Sequence, residues 1–105
     1  MGRIAERVYT ADADIARLEG LVEQLPDEAR VELLLADGGT VTGAVSVRPT
    51  VQTFLDPNGG EGINGVVRID DARDPSHAHF IWLDMISEVR RLDPLVDPMP
   101  EPRPG

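Results

Sequence analysis

The sequence predicts a mostly β fold, an N-terminal α-helix followed by a five-stranded antiparallel barrel. Three observations carry that prediction. Apolar residues recur at helical spacing up to Leu25 and alternate with period two from Val31 onward. Pro26 stands between the two regimes and cannot continue a helix. Short turn signals rich in Gly, Asp, Asn and Pro then separate the alternating runs.

The helix is expected over about residues 12–25. Ile15, Leu18, Leu21, Val22 and Leu25 form one apolar stripe, and Arg17, Glu19, Glu23 and Gln24 face away from it. Thr10, Asp12 and Asp14 are N-cap candidates, and acids in the first turn suit the helix dipole. The stripe is narrow and its opposite face acidic, so it is expected to pack on the domain's own sheet rather than on a membrane.

The barrel is expected over about residues 29–92. Val31, Leu33 and Leu35 alternate in the first strand, and Asp37-Gly38-Gly39 is a hairpin turn. Val41, Gly43, Val45 and Val47 alternate in the second, where Gly43 marks a sharp bend or a close backbone approach. Pro49 interrupts that strand, which is expected to resume over 50–55 after a bulge. The turn at 56–60 leads to a third strand with Ile63, Gly65, Val67 and Ile69 on one face. A polar loop, a fourth strand at about 79–83, a corner at Asp84-Met85 and a fifth strand at 86–92 complete the set. Sharp corners and bent strands let a small sheet close and lose its edges, as in SH3-like barrels. Residues 93–105 hold five of the nine prolines and are expected to be a disordered, polyproline-like tail.

Composition bounds the function. The chain has 105 residues, the size of one domain, and its 41% hydrophobic content suffices for a core. There is no cysteine, hence no disulfide framework, thiolate nucleophile or cysteine zinc site. No apolar run approaches the roughly 18 residues of a membrane span, and residues 1–10 lack a signal-like stretch, so the protein is expected to be cytoplasmic. The net charge is −9, and all ten basic residues are arginine. That average field repels a polyanion such as RNA, unless arginines gather locally.

The run Val31-x-Leu33-x-Leu35-x-x-Gly38-x-x-Val41-x-Gly43-x-Val45 resembles the first half of the Sm motif of Sm-like proteins. Ile81-Trp82-Leu83-Asp84-Met85-Ile86 sits where the second Sm motif would lie, and the preceding helix agrees. The resemblance covers roughly residues 12–92, and the chain as a whole is similar to a small bacterial family of unknown function described as an Sm-like variant. It implies the Sm-like barrel fold and, by analogy, RNA binding. Yet the positions that build the usual uridine pocket fall on Pro49, Thr53, Trp82 and Leu83, so its base-reading polar groups are absent.

Chemistry-bearing residues are few. Asp74, His77 and His79 form the one metal-like cluster, but a third histidine or any cysteine is missing, and a polar loop is the expected reading. No cofactor is expected. Ser46, Ser76 and Ser87 lack a nucleophile elbow, and the glycines at 59–65 do not precede a helix, so neither acyl-transfer catalysis nor a phosphate cradle is expected. Phe80 and Trp82 share a strand face, and if Ile81 and Leu83 fill the core they form an exposed aromatic pair. Phe54 is the other aromatic candidate, and Arg48 and Arg68 are candidate phosphate contacts. The sequence therefore predicts a non-catalytic binding module. It binds single-stranded RNA without the usual pocket, or it is a protein-interaction module that self-associates. A homodimer is expected over a ring, because an acidic, Pro-rich-tailed subunit disfavours crowding.

Overall fold

The computed structural model describes residues 3–92, and the expected tail at 93–105 lies outside them. The elements are β1 (Arg3–Ile4), α1 (Asp12–Glu23), β2 (Arg30–Leu35), β3 (Thr40–Val47), β4 (Gln52–Leu55), β5 (Glu61–Asn64), β6 (Val66–Asp71), β7 (Ala78–Trp82), a 3-10 turn (Leu83–Met85) and β8 (Ile86–Arg91). One sheet has five antiparallel strands in the order β7-β6-β3-β2-β8, and a second has the order β1-β4-β5. The mostly β class and the leading helix are as the sequence predicts.

Three details differ. The helix stops at Glu23, and its N-cap is Ala11, with no capping side chain. Leu25 is nevertheless fully buried, held just beyond the helix by a bond from its N–H to the Val22 carbonyl. The strands beyond two breaks form a separate sheet. Pro49 interrupts the first, so β4 pairs with β5 and not with β2. Gly65 makes the second break, between β5 and β6, and a Cβ there would lie 2.7 Å from Leu83 Cδ1 and 2.8 Å from the Thr50 carbonyl. Burial therefore switches from Gly62 and Asn64 before the break to Val67 and Ile69 after it. Finally, the expected closure is not made: β7 and β8 are the two edges of the five-stranded sheet, joined only through the 3-10 turn.

The core sits between the five-stranded sheet and α1. Leu18 and Leu21 of the helix, with Leu25, meet Val31, Leu33, Val45, Val67, Ile69, Ile81, Leu83 and Ile86. Helix α1 packs on β5 and the 3-10 turn, so the opposite, outer face of the five-stranded sheet carries no helix. Gly43 realises the close-approach reading, because β6 runs directly against it; the register irregularity in β3 lies later, between Val45 and Val47. No helix among the described residues is long and apolar enough to cross a membrane.

Candidate functional site

The outer face of the sheet holds the expected aromatics on β7. Ile81 and Leu83 point into the core, which turns Phe80 and Trp82 outward. Phe80 is 68% exposed. Trp82 is half-buried, since its ring meets Phe54 edge-on at 5.1 Å and 77°. Phe54 itself is buried, so it braces Trp82 instead of offering a free ring. In register with Phe80 lies Arg68 on β6, and opposite Arg68 lies Val47 on β3. The Arg68 guanidinium sits 6.0 Å from the Phe80 ring centre, a cation–π distance, and its Nε also donates to Asp70 at 3.2 Å. Val47 is as exposed as Phe80. Phe80, Trp82, Val47 and Arg68 thus share one outward patch at the β7 end of the sheet.

Arg48 does not join it. Its side chain turns to α1 and pairs with Glu23 at 2.8 Å. Arg90, at the far edge, pairs with Glu88 and Glu32. Arg48, Arg68 and Arg90 are therefore spread over the molecule, each beside an acid, and do not themselves line one groove.

The backbone of β7 has its own polarity. Asp71 N–H donates to the His77 carbonyl, and Leu83 N–H to the Gly65 carbonyl. These bonds frame the β6–β7 ladder, in which Ile69 opposes His79 and Val67 opposes Ile81. By the alternation of antiparallel pairs, His79 and Ile81 turn their backbone groups toward β6. Ala78, Phe80 and Trp82 turn theirs toward the free edge.

The metal-like cluster spans the polar loop before β7, which holds Asp74 and His77, and the start of the strand, which holds His79. Asp74 is engaged in its own loop, where its Oδ1 accepts from the Ser76 N–H and hydroxyl. The His77 and His79 rings are in edge contact at 4.7 Å, and it is Asp71, not Asp74, that joins them, its Oδ2 lying 2.8 Å from His79 Nε2. Among the described residues no three such side chains form a metal-holding group. The Asp71–His79 pair borders a shallow cleft of about 370 Å³ with Thr40, Thr42 and Arg73. The hydrogen bond from His79, then the Arg73 N–H, lower the Asp71 carboxyl from the ordinary 3.8 to about 2. Its folded value lies below its unfolded one, so its stabilisation is present above pH 3.8 and is lost as the pH falls through about 2. Denaturation midpoints measured down this range should fall in the wild type, and Asp71→Asn should flatten that part of the curve.

Sequence reasoning missed a polar clasp beside the Gly65 break. Asn64 is the one buried polar residue among those described. Its Nδ2 donates to the Arg7 carbonyl at 2.9 Å and to Asp84 Oδ1 at 3.1 Å, while its Oδ1 accepts the Gly65 N–H at 2.8 Å. Tyr9 hydroxyl donates to Asp84 Oδ2 at 3.0 Å. Burial, then the bond to Asp84, raise the Tyr9 phenol above its usual value. The only sequence signal was a lone Asn in a strand.

The positions of the usual uridine pocket are scattered in burial. Pro49 and Leu83 are buried, Thr53 is exposed, and Trp82 leans on Phe54. The family model described as Domain of unknown function (DUF3247) matches residues 2–92. Among solved structures the chain is similar to XC5848 from Xanthomonas campestris, whose crystal structure is described as adopting a novel variant of the Sm-like motif. The two are 41% identical, the alignment covers 88% of this chain and 99% of that one, and the TM-score is 0.83. No curated protein matches. The Sm-like resemblance read from the sequence is borne out.

Proposed function

This chain belongs to the DUF3247 family, and we propose that it is a cytoplasmic, non-catalytic protein-interaction module. Its working surface is the free edge of β7 with the outer patch of Phe80, Trp82, Val47 and Arg68. The observation that carries this reading is the juxtaposition of an unpaired strand edge with exposed apolar side chains on the same strand. Strand edges bind other proteins through main-chain bonds and take specificity from alternate side chains. The dispersed, acid-paired arginines and the net charge of −9 argue in the same direction. Single-stranded RNA is the second reading, favoured by one contact, the guanidinium over the exposed Phe80 ring.

A photo-reactive benzoylphenylalanine in place of Phe80, irradiated in living cells, separates the two. Discrete protein adducts are the expected result. Adducts that collapse on nuclease treatment would overturn the proposal in favour of RNA, and an absence of adducts would refute this surface altogether.

A further inference from the structure

Resting on the protein-interaction reading above, we infer that the partner at this edge is a second copy of the chain. The β7 strands of two copies pair antiparallel about a two-fold axis at Phe80.

The two edges of the five-stranded sheet are built differently. β8, Ile86–Arg91, carries Glu88, Arg90 and Arg91, three charges in six residues. Natural sheets use such charges to keep an exposed edge from pairing with another chain. β7, Ala78–Trp82, reads Ala-His-Phe-Ile-Trp and has neither an Asp, Glu, Lys or Arg nor a proline. The protein guards one edge and leaves the other open. An unguarded edge of aromatic and branched residues is a template for pairing with another chain, and among the described residues no strand lies beyond β7.

The pattern of β7 fits its own copy. A two-fold axis through Phe80 sets Phe80 opposite Phe80 of the partner subunit. Ala78 then faces Trp82 of the partner subunit, the smallest side chain against the largest, and His79 faces Ile81 of the partner subunit. The residues whose N–H and C=O point to the free edge are Ala78, Phe80 and Trp82, as the ladder alternation requires. These are the groups that self-pairing in this register joins, in three mutually hydrogen-bonded pairs. Both outer faces stay on the same side, so the Phe80 rings meet as cross-strand neighbours. Arg68, one strand further in and already paired with Asp70, is not stranded by the contact. The contact is isologous and closes at two.

The chain has no cysteine, which makes the register directly testable. Hydrogen-bonded antiparallel partners have Cα atoms about 5.5 Å apart, within disulfide reach. Phe80→Cys should therefore cross-link to itself on mild oxidation, and Glu88→Cys on the guarded edge should not. By sedimentation the wild type should have the mass of two 11.4 kDa chains. Phe80→Glu should sediment as one chain with an unchanged circular dichroism spectrum. Phe80→Pro, which removes the N–H that points away from β6 together with the exposed ring, should do the same. A wild type that stays single up to near-millimolar concentration overturns the inference, as does a mass of six or seven chains. So does efficient cross-linking through Glu88→Cys in place of Phe80→Cys. The benzoylphenylalanine experiment keeps the two readings apart. An adduct between two copies supports the dimer. An adduct with a different protein leaves the interaction module standing and sinks the second copy as its partner.

Discussion

Gly43→Val is expected to cost at least about 3 kcal/mol of stability, above the ~1–3 kcal/mol usual for an overpacked core. Gly43 lies in β3 opposite Asp71 of β6. A Cβ built on it would stand 2.1 Å from the Asp70 carbonyl oxygen and 2.8 Å from Ile69 Cγ2. The nearer obstacle is backbone, so no rotamer change relieves it. The β3–β6 ladder has to part, and Ile69 and Val45, fully buried on either side of it, lose their packing. Gly43→Ala meets the same atom and should fall in the same direction, which ordinary side-chain crowding would not produce. Urea denaturation checks both variants. The midpoint should drop with little change in slope if the fold survives, and a midpoint equal to the wild type's would show that β6 is not where the structure has it.

The second large effect is expected at Asn64. Asn64→Ala removes three hydrogen bonds at once and leaves the Gly65 N–H, the Arg7 carbonyl and Asp84 each short of a partner. An unsatisfied buried group costs roughly 1–3 kcal/mol, so a loss of about 2–4 kcal/mol is expected for the cluster, allowing for partial rehydration. Asn64→Asp separates this account from simple loss of volume. It keeps the shape but sets a second carboxylate beside Asp84 and deletes the donor between them. At neutral pH it should be at least as damaging as Asn64→Ala. In acid it should recover relative to the alanine variant, because a protonated carboxyl can donate again. Denaturation series for both variants at neutral and acidic pH give the comparison, and parallel behaviour of the two would contradict the network.

Much of this fold is legible in the sequence because its signals are local. The Asp37-Gly38-Gly39 turn sits between two runs of strict alternation, and β2 and β3 form the expected hairpin. Pro49 marks a break for a reason internal to proline. The Gly65 break was hidden, since Ile63, Gly65, Val67 and Ile69 read as one uninterrupted face. Only the packing of Leu83 and Thr50 against Gly65 reveals that the strand changes sheets there. The aromatic patch was legible in part. The parity of Ile81 and Leu83 placed Phe80 and Trp82 on the outer face, but nothing local connects Trp82 to Phe54, 28 positions earlier. Arg48 looked equivalent to Arg68 until the helix supplied Glu23. The clasp of Tyr9, Asn64 and Asp84 joins residues up to 75 positions apart, and no window of the sequence contains it.

The pairing of the first residues carries a consequence for biosynthesis. Arg3 and Ile4 lie parallel to Phe54 and Leu55, and Tyr9 bridges to Ile63 and bonds to Asp84. The segment before α1 thus waits for partners translated later, in the case of Asp84, 75 positions after Tyr9. Helix α1 is in the same position, because its stripe is buried against Leu83 and Ile86 as well as the earlier strands. Pairing across such separations carries a large loop-closure cost that must be met before any contact rewards it. During synthesis residues 3–23 are therefore a client without their later docking surface. The strand that completes the pairing of β2, Ile86–Arg91, is also translated after β3, β6 and β7.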